Sequence, residues 1–237
     1  LLEEVAKFRA ARRLWAKIMN ERFKAKDPRS MMLRFHTQTC GHTLTAQQPD
    51  NNIVRVAMQA LAAVLGGSQS LHTNSRDEAY ATPGAEAVTI ALRTQQLLAY
   101  ENGVGDCVDP LGGSYYVEHL TDVIQAEAEK YIEKIDQLGG ALAAIERGFQ
   151  QREIQESSYR AQKDIESGKR TVVGVNKFVS PYPPITGLLK VNPVEAEKQR
   201  QRVIALKAKR DKKKVTQALN NLREAASGKG NTMPAFI

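Results

Sequence analysis

The first 23 residues place Val5, Phe8, Leu14, Trp15, Ile18, Met19 and Phe23 near helical spacing, with Glu, Arg and Lys between them. They predict a helix that buries one face. Pro28 disfavours a helical conformation at Asp27, so the helix ends before it. A short, mostly apolar strand, MMLRFHTQT over residues 31–39, follows. After Gly41 and a polar loop, DNNIVRVAMQALAAVLGG reads as a second helix with Ile53, Val54, Ala57, Leu61, Val64 and Leu65 facing inward. Asp50, Asn51 or Asn52 would cap it, and Gly66 and Gly67 would stop it. A second strand, SQSLHTNS over 68–75, begins at once, and GAEAVTIALRTQQLLAYENG is the next helix, closed by Gly103. Strand, helix, strand, helix with short turns is the sign of βαβ units in a parallel sheet, and so of an α/β fold.

Beyond Gly105 the pattern changes. DCVDPLGGSYYVEHL is a Pro/Gly loop leading into the helix TDVIQAEAEKYIEKIDQLGG, and further helices cover 141–167. RTVVGVNKF is rich in β-branched residues and reads as one more strand. SPYPPITGLLKVNP reads as an extended linker before a basic helix over 195–223. The expected organisation is β/α units over 1–105, a helical extension with one short strand over 106–180, and a linker with a basic helical segment over 181–237.

Composition changes this picture little. With 42% hydrophobic and 25% charged residues, the chain has the make-up of a globular protein. It has no apolar run long enough to span a membrane and no signal pattern, which places it in the cytoplasm. Cys40 and Cys107 are too few for a disulfide scaffold. The formal charge of +8 could suit nucleic acid, an anionic surface or a phosphorylated ligand. Much of the excess lies in the basic helix, where Val203, Ile204, Leu206, Val215, Leu219 and Leu222 supply an apolar face and the cations its wet side. A solvated helix face is favoured over a nucleic-acid or assembly module. The chain opens on Leu1 inside an amphipathic pattern and closes as an apolar segment begins, which reads as part of a larger polypeptide.

The candidate chemistry lies at the strand ends. In parallel α/β folds, ligands bind at the C-terminal ends of strands and the loops after them. His36, Thr37, Gln38 and Thr39 end one strand, and His72, Thr73 and Asn74 the next. Imidazole, amide and hydroxyl groups hold a polar, largely neutral ligand such as a thioester carbonyl, an amide or a ribose. The bland alternative has them capping helices or satisfying buried backbone. Metal binding by His36, Cys40, His42 and His72 is a sharper rival, but their spacing matches no closed zinc pattern. Glu78 could accept hydrogen bonds from two adjacent sugar hydroxyls, or could be surface charge near a helix start. DPLGGSYYVE lacks the spacing and Lys of a phosphate loop, so a structural turn is the simpler reading. No Ser or Cys sits in a nucleophile-elbow context.

RFHTQTCGHTLTAQQPDNNIVR, GGSQSLHTNSRDEA, VDPLGGSYYVE and VVGVNKF resemble one family. It is that of the adenosylcobalamin-dependent acyl-CoA mutases, typified by the methylmalonyl-CoA mutase large subunit. The resemblance implies a partial TIM (β/α)8 barrel, its last β/α units, followed by a mostly helical C-terminal extension. It implies a radical isomerisation of an acyl-CoA: cobalt–carbon homolysis gives a deoxyadenosyl radical that takes a hydrogen from the acyl group and later returns it. Methylmalonyl-CoA and succinyl-CoA are the expected pair, with isobutyryl-CoA or 2-hydroxyisobutyryl-CoA as the alternative. Carried over by position, His36, Gln38 and Gln69 would line the acyl-CoA channel. Asn74 and Glu78 would contact the adenosyl ribose. Gly41, His42, Ala81 and Thr82 would touch the corrin. Position 42 is His where methylmalonyl-CoA mutases commonly carry Trp. The family's carbonyl-contacting histidine, its acyl-recognising tyrosine and arginine, and its D-x-H-x-x-G cobalt ligand have no counterpart within these residues. The implied partners are therefore the N-terminal remainder of the barrel and a separate cobalamin-binding domain or small subunit, in an oligomeric assembly.

Overall fold

The computed structural model describes residues 1–228 and 230–236, and the chain divides into two compact units, Leu1–Leu189 and Lys190–Ile237. In the first unit, helix α1 (Leu2–Glu21) leads through a 3-10 turn at Pro28–Met31 to strand β1 (His36–Gln38). Helix α2 (Asn51–Leu65), strand β2 (Ser70–His72) and helix α3 (Ala85–Tyr100) follow. The strands pair in parallel, His36 with Ser70, Thr37 with Leu71 and Gln38 with His72. The expected strand–helix–strand–helix order is present. Among the described residues, however, the sheet has two strands only, and each is shorter than its apolar run because each has a ladder partner on one side.

The core is built from small residues. Val5, Ala6 and Ala10 of α1, Val56, Ala60, Ala62 and Ala63 of α2, and Ala87 and Ala91 of α3 are buried. Short side chains let neighbouring helices approach closely, and the predicted inward faces hold in part: Val5 is buried, and Phe8, Leu14, Ile18, Met19, Ile53, Ala57, Leu61, Val64 and Leu65 are half-buried. Trp15 of α1, Phe23 just beyond it and Val54 of α2 are exposed against expectation, along with Met58, Val88, Leu92 and Leu97. The deepest positions are thus mostly Ala, and such stripes are weakly marked by hydrophobicity. Where α1 meets the strand side, Phe8 stacks on Phe35 at 5.1 Å, and a Cβ on Gly66 would run into the Phe8 ring. Gly66 is needed for that close approach, since an added methyl would force the stacked rings apart.

Helix α4 (Tyr115–Gln137) lies along α1. It begins six residues before the predicted start at Thr121, and its charges match those of α1 in step. Arg13 pairs with Asp122 at 2.7 Å, Lys17 with Glu129 at 2.9 Å and Arg22 with Asp136 at 2.7 Å, while Arg9 reaches both Asp109 and Glu118. Partner numbers rise together along both helices, so the two run parallel. Pairs this exposed fix register more than they add stability.

Helices α5 (Ala141–Glu146) and α6 (Phe149–Glu166) complete the predicted helical stretch. The strand predicted at 170–178 is not formed. A single bridge, Val173 to Lys177, stands in its place. Gly174 turns the chain at φ +81, and the Asn176 side chain bonds Val172 N, Ile165 O and Arg170 O, so local bonds win over strand pairing. Residues 179–192 have no regular structure, as the Pro-rich linker predicts.

In the second unit, the single basic helix expected over 195–223 is two: α7 (Pro193–Lys209) and α8 (Lys212–Ser227). Asp211 starts α8 by accepting from Lys213 N at 2.8 Å and Lys214 N at 3.2 Å, which is an N-cap inside an otherwise continuous pattern. The unit carries the chain's positive excess, since Lys and Arg balance Asp and Glu over residues 1–189. No described helix is long and apolar enough to cross a membrane.

Candidate functional site

Parallel pairing in register sends alternate side chains to opposite faces. His36, Gln38, Ser70 and His72 share the exposed face of the sheet, while Thr37 and Leu71 turn the other way. The two imidazoles are therefore on one side, diagonal across the ladder, and His36 Nδ1 lies 2.7 Å from Ser70 Oγ. Gln69 is at the opposite end of the strands from the loops. Its Oε1 accepts from Phe35 N and its Nε2 donates to Gly67 O, each at 2.9 Å, so both ends of the amide are held by backbone.

At the C-terminal strand ends, three predicted residues come together. A Cβ on Gly41 would lie 2.7 Å from Glu78 Oε1 and 3.3 Å from Asn74 Nδ2. Gly41, Asn74 and Glu78 thus form one cluster between the two loops, and only Gly leaves the Glu78 carboxylate its place. His42 is exposed on the 3-10 turn Gly41–Thr43. That turn is held by Gln59 of α2, which accepts from Cys40 N and donates to Thr43 Oγ1, both at 2.7 Å. Ala81 and Thr82 sit on the β2–α3 loop, where Ala81 N bonds Asp77 O and Thr82 is exposed.

The loops owe their shape to buried polar residues whose joining role the sequence reading did not see: Asn52 was only a cap candidate, Thr39 and Asn74 only strand-end groups, and Asp77 was not named. Asn52, fully buried, accepts from Thr45 N at 3.1 Å and from Arg55 at 2.8 Å, and donates to Thr45 O at 2.9 Å and Arg76 O at 3.0 Å. One side chain thereby ties the β1–α2 loop to the β2–α3 loop. Asp77, also buried, accepts from the Ser75 hydroxyl and from Gly84 N at 2.9 Å. Thr39 and Asn74 bond each other across the strand ends, and Tyr80 donates to Ala46 O at 2.6 Å. Such residues show no periodicity. The available signal was the density of Thr, Asn, Ser and Asp at both strand ends.

Over these loops runs the extended segment 178–187. Gln48 Nε2 donates to Phe178 O and Ser180 Oγ, each at 3.0 Å, and a Cβ on Gly84 would strike Gly187 O at 2.6 Å. The Tyr182 hydroxyl donates to Asp50, which also pairs with Arg76 at 2.8 Å. Asp50, one of the three candidate caps of α2, stands at the cap position but makes no side-chain cap bond, its carboxylate being committed to these partners. The Tyr182 bond, with Arg76 assisting, holds the Asp50 carboxyl below the usual carboxylate range, and the same bond raises the Tyr182 phenol above its own. A depressed carboxylate contributes above about pH 4 and loses its contribution on acidification; a raised phenol contributes below about pH 10 and loses it as pH climbs. The segment should stay docked between those limits. Asp50→Asn should bring the Tyr182 titration back toward the ordinary tyrosine range, read from ring-labelled tyrosine resonances. An unchanged titration would mean that Asp50 does not hold the segment.

Beside β1 a cavity of about 370 Å³ is lined by Phe8, Thr37, Gln38, Thr39, Thr43 and Gln59 among others, with no residue of β2. Among the described residues no group of three or more His, Cys, Asp and Glu could hold a metal ion.

The family model described as methylmalonyl-CoA mutase matches residues 1–237. The 2-hydroxyisobutanoyl-CoA mutase large subunit of Aquincola tertiaricarbonis is 46% identical over 99% of this chain and 42% of its own length. The methylmalonyl-CoA mutase of Escherichia coli (strain K12) is 44% identical over 100% of this chain and 33% of its own length. The methylmalonyl-CoA mutase large subunit of Propionibacterium freudenreichii subsp. shermanii is 43% identical over 98% and 32%. The chain spans less than half the length of these relatives. With a family model covering every residue, the chain belongs to the methylmalonyl-CoA mutase family.

Proposed function

We propose that this chain supplies the last two β/α units of a TIM barrel, with their helical extension, to an adenosylcobalamin-dependent acyl-CoA mutase of the cytoplasm. The observation that carries this is the cluster of Gly41, Asn74 and Glu78 at the C-terminal ends of two parallel strands. In barrel enzymes that face holds the active site, and the strand face bearing His36, Gln38, Ser70 and His72 would line the axis. Large apolar side chains left exposed on α2 and α3, such as Val54, Met58, Val88 and Leu92, support further protein covering this unit.

The cluster fits the adenosyl group on two counts. The missing Cβ at Gly41 leaves a cradle against Glu78, and an amide donor beside a carboxylate acceptor matches the hydroxyls of a ribose. When bound, adenosylcobalamin supplies the hydrogen-atom abstraction and return that an isomerisation of an unactivated carbon requires. The residues of this chain bind, orient and exclude water. Glu78 accepts from ribose hydroxyls, Asn74 donates to them, and the turn carrying Gly41 and His42 and the loop carrying Ala81 and Thr82 present a surface to the corrin. His36, held by Ser70, and Gln38 offer neutral hydrogen bonds along the acyl-CoA channel, while Gln69 braces the strand start. The cobalt ligand and the N-terminal barrel strands belong to other parts of the protein or to a partner subunit.

The acyl pair we propose is methylmalonyl-CoA and succinyl-CoA. A second reading, 2-hydroxyisobutyryl-CoA or isobutyryl-CoA, is favoured by the 46% identical relative and by His at position 42. Assaying the complete enzyme with each acyl-CoA and adenosylcobalamin separates the two. Failure to isomerise any of them, together with salt-sensitive DNA binding, would leave the basic second unit as the functional part.

A further inference from the structure

We infer that Thr39 is a positioning residue that fixes which way the Asn74 amide faces, and so makes the cluster select a hydroxyl-bearing ligand; this rests on the ribose reading of Asn74 and Glu78. Thr39 and Asn74 are each 3% exposed. Thr39 Oγ1 accepts from Asn74 N at 2.8 Å and lies 2.7 Å from Asn74 Oδ1. A hydroxyl has one proton to give. The backbone N–H fills one of the two acceptor sites on Oγ1, so what decides the amide is the proton: the Asn74 side chain is the group placed to receive it, and must present oxygen to do so. The reversed amide would leave that hydroxyl proton buried without a partner.

With Oδ1 held inward, Nδ2 faces Gly41, at the point where Glu78 Oε1 also converges. The ligand therefore meets a donor beside an acceptor. A hydroxyl satisfies both at once, its proton going to Glu78 and its oxygen receiving the Nδ2–H. A carbon in its place satisfies neither. Two outward acceptors, as a reversed amide would give, would repel the hydroxyl oxygen.

The test measures equilibrium binding of adenosylcobalamin and its 2′-deoxy- and 3′-deoxyadenosyl analogues to the complete enzyme. Wild type and Thr39→Ser, which keeps the hydroxyl, should prefer adenosylcobalamin over at least one analogue by about tenfold. Thr39→Val, of the same shape without the hydroxyl, should bring that preference to within about twofold. Asn74→Asp keeps the bond to Thr39 but turns the outward donor into an acceptor, and should lose the same preference even where Thr39→Val melts early. A preference retained in either Thr39→Val or Asn74→Asp overturns the inference. Absence of any preference in the wild type instead overturns the ribose reading beneath it.

Discussion

Glu78→Ala in the complete enzyme is expected to weaken adenosylcobalamin binding by about a hundredfold, the scale of losing hydrogen bonds to a charged group at a partly buried site. Gly41→Ala should reproduce most of that loss without touching the carboxylate chemically. Its new Cβ would stand 2.7 Å from Glu78 Oε1 and 3.2 Å from Cγ, which is too close for the carboxylate to remain. Glu78 has a flexible side chain, so it would swing away rather than unfold the loop, and thermal stability should change little. The two substitutions act on one group, so the double variant should bind about as weakly as Glu78→Ala alone. Additive losses would mean that Gly41 serves the ligand by some other route, such as direct contact with the corrin. Unaltered binding in Glu78→Ala would remove the ribose role altogether.

Much of the architecture was written in the chain's punctuation. The Gly66–Gly67 pair stops α2 and Gly103 follows the end of α3 as expected, while α1 ends at Glu21, well before Pro28, which instead opens a 3-10 turn; the repeat of polar clusters after two apolar runs announced a parallel pair. The cluster of Gly41, Asn74 and Glu78 came through the family resemblance, with Glu78 also suggested by its chemistry. What escaped was set by particular side-chain contacts that leave no pattern along the chain. The inward face of α2 was read only in part: Ile53, Ala57, Leu61, Val64 and Leu65 are half-buried, but Val54 faces out and the deepest stripe, with Val56, Ala60, Ala62 and Ala63, is Ala-rich and gives little hydrophobic signal. The strand expected at 170–178 is a turn because Asn176 satisfies three backbone groups itself, and β propensity cannot compete with bonds already made. Asp50 looked like a helix cap, yet Arg76 and Tyr182 claim it. Polar residues that join loops carry no period, so a reading by period passes over them.

Asn52 is the strongest instance and carries the largest expected effect on stability. It is fully buried, it occupies the second position of α2, and its amide bonds both the N–H and the carbonyl of Thr45 as well as Arg76 O. Asn52→Ala would leave Thr45 N, Thr45 O and Arg76 O without their partner in a space closed to water. Buried polar groups stranded in this way cost about 3 kcal/mol in sum even after relaxation. For a unit of this size that corresponds to a fall in Tm of roughly 6–12 °C. Asn51→Ala is the control, because Asn51 makes a side-chain bond to Gln48 at the same helix start and is less buried. A drop no greater than in that control would show that the two loops are tied elsewhere. Asn52→Leu should fare no better than Ala, because apolar volume does nothing for the orphaned carbonyls, whereas Asn52→Asp keeps the bonds from Thr45 N and Arg55 but sets a carboxylate against two carbonyl oxygens. The loop that Asn52 holds at Arg76 is the one that carries Glu78, so weakened adenosylcobalamin binding should accompany the lower Tm in all three Asn52 variants. Loss of binding without loss of stability would instead place Asn52 in contact with ligand, which its complete burial forbids.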